Sequence, residues 1–134
     1  MPPEYPLGRG PARRRYVAYV AAIERDIVEE VASWPRVELE EGRFGSTRFM
    51  VGRRELGHLH GSSTLDLPLP KPLKAELIER GEVEEHRFTR PGSGWVTLRI
   101  RDEETQRRAI EILRERYEHA VALAAGRRQT EPAA

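Results

Sequence analysis

At 134 residues, with 38% hydrophobic and 34% charged side chains, the chain suits one domain with its own core and is too short for a large enzyme barrel. It carries 23 Lys and Arg against 22 Asp and Glu, a formal net charge of +1, which argues against a dedicated polyanion binder. The absence of cysteine excludes a disulfide framework and any thiolate metal site.

In chain order, residues 1–10 are rich in Pro and Gly and read as a flexible N-terminal arm. Tyr16, Val20, Ile23, Ile27, Val31 and Trp34 then recur at steps of three or four, which predicts a helix over roughly residues 12–33 with one apolar stripe. Pro35 ends it, because the residue before a proline avoids the helical region. A meander of short strands follows: Val37 to Glu40, Arg48 to Val51, Arg54 to His60 and Thr64 to Leu67, separated by turns at Glu41-Gly42, Gly52-Arg53 and Gly61-Ser62-Ser63. Short strands with tight connections pair antiparallel.

Pro68 to Pro72 break the sheet. Pro72 opens a short helix to Arg80, with Leu73, Leu77 and Ile78 expected to face inward and Gly81 as its stop. A strand around His86-Arg87-Phe88 is expected next. Trp95 to Ile100 is a strand with Trp95, Thr97 and Arg99 on one side and Val96, Leu98 and Ile100 on the other. Asp102 caps a last helix with a stripe of Ile110, Leu113, Tyr117, Val121 and Ala124, Glu103–Arg107 and Glu104–Arg108 pairs outside, and Gly126 at its end. Residues 127–134 read as a disordered tail, leaving a single α+β domain over 11–126. The fold class is α+β: a two-layer domain of antiparallel sheet with two long helices, N- and C-terminal, and one short one. The second sheet face then meets water, a partner or a ligand.

The N-terminus lacks the apolar segment of a signal peptide, and no apolar run is long enough to span a bilayer; a cytoplasmic protein is expected. The chain has no Asn, few Gln, and only Lys71 and Lys74 as lysines. That depletion, with abundant Glu and Arg, is a thermophile pattern.

No complete catalytic or cofactor motif is present, so the sequence assigns neither a catalytic residue nor a cofactor. The stretch Glu55 to Gly61 carries the chemistry that is visible. His58 and His60 alternate onto one side of a strand and are the candidate metal pair, with His86 or a carboxylate such as Glu55 or Asp66 completing the shell. A regular strand points Glu55 away from the two histidines. If the His86 segment joins the sheet, three imidazoles and Trp95 make a polar-aromatic pocket for a small ligand, also suited to acid–base work. His119 reads as a solvated helix residue. The Arg13-Arg14-Arg15, Arg53-Arg54, Arg107-Arg108 and Arg127-Arg128 runs are interleaved with Glu pairs, as on an ion-paired surface.

The runs Gly52-Arg53-Arg54-Glu55-Leu56-Gly57-His58-Leu59-His60-Gly61, Asp66-Leu67-Pro68, His86, Ser93-Gly94-Trp95-Val96 and Tyr117 together resemble a family of small bacterial and fungal luciferase domain-containing proteins, over roughly residues 20–122. These are distinct from flavin-dependent luciferases, whose barrel needs roughly 250 residues. The resemblance implies that Glu55, His58, His60, His86 and Trp95 form the family's shared surface. The strand order, the Gly-Trp-Val strand and the closing helix with its Tyr are also similar to YjbR/MmcQ-like α+β proteins, which implies a nucleic-acid-binding module as one alternative. The expected function is binding of a small ligand or protein partner on a sheet face lined by Glu55, His58, His60, His86 and Trp95. A histidine-based enzyme, metal-dependent through His58 and His60, is another alternative, and an uncovered sheet face also suits a homodimer.

Overall fold

A computed structural model describes residues 26–87, 89–90 and 92–130. The N-terminal arm, the first part of the predicted N-terminal helix with Tyr16, Val20 and Ile23, the Arg13-Arg14-Arg15 run, Phe88 and residues 131–134 lie outside the described residues. Within them, residues 26–32 are helical (α1). Then follow β1 (Val37–Glu41), a 3-10 turn (Arg43–Gly45), β2 (Thr47–Val51), β3 (Arg54–His60), β4 (Thr64–Pro68), α2 (Lys71–Glu79), β5 (Glu84–Glu85), β6 (Trp95–Arg99) and α3 (Glu103–Thr130).

The strands form one antiparallel sheet in the order β1-β2-β3-β4-β6-β5. The alternation that marks each strand in the sequence sorts its two faces. Phe49 and Val51 on β2, Leu59 on β3, Leu65 and Leu67 on β4, and Val96 and Leu98 on β6 are all buried on the inner face. Across that face runs α3, contributing Ala109, Ile112, Leu113, Tyr117 and Ala120, joined by Ile27 and Val31 of α1 and by Trp34. The result is the expected α+β architecture, with the core helices on one side of the sheet and, among the described residues, no helix over its other side along β3, β4 and β6.

An aromatic clamp joins the segment just after α1 to α3. The Trp34 and Tyr117 rings lie 5.2 Å apart, the Tyr117 hydroxyl donates to the Pro35 carbonyl at 2.9 Å, and the Arg114 guanidinium lies 4.8 Å from the Tyr117 ring centroid. Asp102 caps α3 as the sequence implies, its Oδ1 accepting from the Thr105 N–H at 2.9 Å. Gly81, at φ +74°, sits in the left-handed region just after α2, a conformation glycine adopts without strain.

Several expectations are corrected. The buried row of α3 is Ala109, Ile112, Leu113, Tyr117 and Ala120, while Ile110, Val121 and Ala124 lie at its margin. The helix continues through Gly126 to Thr130, because a glycine weakens a helix without having to end it. Arg108 pairs with Glu82 at 2.8 Å and Glu111 at 3.2 Å instead of with Glu104. In α2, Leu77 is buried and Leu73 partly so, but Ile78 is 38% exposed. The side chain buried instead is Lys74, whose amine donates to Glu85 and to the Ser93 carbonyl. Its apolar stem fills the space and its charge fastens α2 to the β5–β6 segment. Lys74→Met keeps the stem and removes the charge; it should lower the unfolding free energy by about 1–2 kcal/mol, read as a shifted urea midpoint at unchanged slope.

The predicted strand at His86-Arg87-Phe88 is placed earlier, at Glu84–Glu85. His86 follows its end but stays tied to β6, its N–H donating to the Trp95 carbonyl at 3.3 Å.

Candidate functional site

The site begins with an irregularity in β3. Phe49 pairs with Gly57, but the next residue of β2, Met50, pairs with Glu55. One step on β2 thus answers two on β3, which is a β-bulge with Leu56 as the extra residue. The bulge resets the alternation. Leu56 and Leu59 are both buried, and Glu55 moves to the face of His58 and His60. The expectation that Glu55 points away from the histidines is therefore overturned: its Oε2 lies 3.4 Å from His58 Nδ1. Gly57 permits the close approach that the bulge needs, since a Cβ there would stand 2.8 Å from the Asp66 carbonyl oxygen and 2.9 Å from Leu67 Cβ.

Strand register supplies the rest. His58 lies opposite Asp66, and Asp66 opposite Thr97, so His58, Asp66 and Thr97 form a row across three strands on the uncovered face. The Thr97 hydroxyl donates to Asp66 Oδ1 at 2.6 Å, which fixes the carboxylate and turns Oδ2 outward. Around Oδ2 stand the Nε2 atoms of His58 at 3.3 Å, His60 at 3.2 Å and His86 at 3.3 Å. The Trp95 ring lies 5.3 Å from the His58 ring and 6.0 Å from that of His86. Side-chain exposure rises from 7% at Asp66 through 11% at His86 and 21% at His58 to 33% at His60, so the cluster has a buried floor and an open rim. Arg48, opposite His58 on β2, holds Glu55 from behind with its Nε 2.5 Å from Oε1.

The five residues singled out in the sequence, Glu55, His58, His60, His86 and Trp95, therefore stand together. Asp66, at the centre, enters the sequence reading only as one optional carboxylate. Thr97 and Arg48 are new. The signal for Thr97 is its alternation with Trp95 onto one side of β6. His119 is exposed on α3 and away from the cluster. A separate groove of about 470 Å³ runs between β5–β6 and the start of α3, lined by Arg99, Arg101, Arg107, Glu84 and Glu104 among others, and includes none of the three histidines.

Electrostatics follow from the crowding. The contact with Asp66, then that with Glu55, raises His58 to about 9 against the opposing effect of burial. Burial pushes Asp66 up, but His58, the Thr97 hydroxyl and His86 outweigh it and hold the group down at about 2. Burial likewise opposes ionisation of Glu55, and His58 and Arg48 together keep its pKa below the usual range.

A pH dependence of stability follows. The raised His58 contributes fully below its ordinary 6.5 and loses that contribution as pH rises through about 9. The depressed Asp66 contributes fully above its ordinary 3.8 and loses that contribution as pH falls through about 2. In chelator-treated protein the unfolding free energy contributed by the cluster should be flat between about 4 and 6.5 and fall on the alkaline side by on the order of 2 kcal/mol. Urea titrations across pH check this; His58→Gln should abolish the alkaline fall.

Fold and site together define an α+β domain with a histidine–carboxylate cluster on the open face of an antiparallel sheet. Residues 53–116 match the model of the family described as Luciferase domain, consistent with the luciferase domain-containing resemblance carried by the same motifs. The matched stretch takes in β3 to β6 and the first half of α3, with every residue of the cluster except Arg48. No curated protein and no solved structure matches the chain. Among the described residues no helix is long and apolar enough to cross a membrane.

Proposed function

We propose that the chain binds a small ligand on this sheet face, at the cluster of His58, His60, His86 and Trp95, with Glu55 and Asp66 orienting the imidazoles. The observation that carries this reading is the meeting of three ring nitrogens from two distant segments on one buried carboxylate oxygen, beside an indole. Such a surface offers an apolar plane and several directed polar groups, the usual makeup of a small-molecule site. A fitting ligand places a polar head on the imidazoles and an apolar body against Trp95. The nucleic-acid alternative gains less support, because Arg48, Arg99, Arg108 and Arg114 are each paired with a glutamate and a phosphate would have to displace it.

The test is a fragment library screened by amide and side-chain NMR shifts. Hits should perturb His58, His60, His86 and the Trp95 indole, and the perturbations should vanish when His58→Ala and His60→Ala are combined in a protein that keeps its fold. Hits that map elsewhere, or that survive the double substitution, would overturn the reading.

A further inference from the structure

We propose that the buried floor of this cluster is a divalent transition-metal centre, with Asp66 Oδ2 and the Nε2 atoms of His58 and His86 as its protein ligands and an open position beside His60. The inference rests on the small-ligand reading and deepens it: the ligand's polar head would complete the coordination shell.

Geometry is the first support. One ligand atom each from His58, Asp66 and His86 lies within 4.8 Å of the other two. The His58 and His86 nitrogens are each 3.3 Å from Oδ2. In a tetrahedral site with bonds of 2.0–2.1 Å, neighbouring ligand atoms stand about 3.3 Å apart. Both nitrogen–oxygen edges therefore already have coordination length, and the third edge, between the two imidazoles, is within 4.8 Å.

The number of groups points the same way. A carboxylate oxygen has two lone pairs, yet three Nε2 atoms crowd around Oδ2 while Oδ1 holds the Thr97 hydroxyl. Two lone pairs accept at most two directed N–H bonds, so hydrogen bonding to Oδ2 does not by itself account for three nitrogens at this distance. With a cation among them, each imidazole presents a lone pair and the carboxylate a charge to one point.

The surroundings supply the supporting bonds that metal ligands require. Asp66 is oriented by Thr97. The second nitrogen of His58 faces Glu55, itself fixed by Arg48, the carboxylate–histidine arrangement that sets ring tautomer and aim. His86 is anchored through its backbone to Trp95. His58 and Asp66 sit on paired strands, where a site is more precise than on loops, and His86 directly follows the end of β5.

Imidazole and carboxylate donors without sulfur suit zinc, iron(II), cobalt(II), nickel and copper(II) rather than the hard cations calcium and magnesium. Three protein ligands with a vacant place is the pattern of a centre that receives water or a small molecule. His60 is the most exposed of the three clustered histidines and still within 3.2 Å of Oδ2. It stands where it can hydrogen-bond whatever occupies the open position.

The test uses the full chain stripped with chelator, zinc(II) as the calorimetric probe and cobalt(II) as the spectroscopic one. One equivalent of zinc should bind, and cobalt should develop the intense visible absorption of a low-coordinate site. His86→Ala should weaken zinc by more than about 100-fold, beyond the loss typical of a supporting residue, and bleach the cobalt spectrum, with circular dichroism confirming the fold. Asp66→Asn should do the same. His119→Ala, remote from the cluster, should bind like the parent. Absence of stoichiometric binding, or binding that His86→Ala leaves intact, would overturn the metal centre. Fragments that still map to His58, His60 and Trp95 in metal-free protein would in that event preserve the ligand reading, whereas stoichiometric metal without any such fragment would sink the ligand reading alone.

Discussion

Asp66→Asn should destabilise chelator-treated protein by about 2–4 kcal/mol near pH 5, in the range expected when one partner of a buried ionic cluster is removed. Asparagine preserves the shape of the side chain and can still accept the Thr97 hydroxyl at the position of Oδ1. What disappears is the negative charge that three imidazoles face at 3.2–3.3 Å. Near pH 5 His58 would be left with its 3.4 Å contact to Glu55. As pH rises through about 9 His58 loses its proton and the loss should shrink, so the difference between parent and variant narrows on the alkaline side. Denaturant titrations at pH 5 and pH 9.5 measure both ends of that trend. An equal loss at the two pH values would show that packing, and not charge, is what Asp66 supplies.

Gly57→Val should cost about 3 kcal/mol or more and disturb the site together with the fold. Two of the three atoms nearest a new Cβ at this position belong to the neighbouring strand: the Asp66 carbonyl oxygen at 2.8 Å and Leu67 Cβ at 2.9 Å. Neither is the free end of a flexible chain, so β3 and β4 would have to part exactly where His58 faces Asp66. The NMR signals of His58 and Trp95 should shift in any fraction that remains folded. Gly126→Ala makes the contrast. A Cβ there meets nothing within 4 Å, and alanine inside a helix should stabilise by about 0.5–1 kcal/mol. Thermal and denaturant unfolding of the two variants should therefore move in opposite directions.

Much of the fold is legible in the residues. Trp95 to Ile100 alternates cleanly because one side meets the core and the other is open, and the β1–β4 meander is punctuated by glycine turns. Where expectation and structure part, the pattern was locally ambiguous. The stripe of α3 is displaced because alanines at 109 and 120 carry too little hydrophobic signal to mark a face, although they are fully packed. In α2 a lysine displaces an isoleucine from the interior because its amine finds Glu85 and the Ser93 carbonyl, partners far along the chain.

The site follows the same logic. His58 and His60 share a face by alternation alone. His86 and Trp95 join them through the order β4-β6-β5, which places the end of β5 beside β6 and which no local pattern announces. Glu55 arrives through a bulge, and periodicity cannot reveal a bulge because the bulge is a break in periodicity. The glycine at 57 is its one trace in the sequence. Asp66 enters the sequence reading as one optional carboxylate, and its central role depends on cross-strand register with both His58 and Thr97.

The central claim is that His58, His60 and His86 meet around Asp66 with Trp95 alongside. The most direct measurement is the set of nuclear Overhauser contacts among the imidazole and indole ring protons of the full chain. The account predicts cross-peaks from the Trp95 indole to the rings of both His58 and His86. A His86 ring with no contact to Trp95, in protein whose His58 ring contacts it, would contradict the convergence and with it both the ligand site and the metal centre.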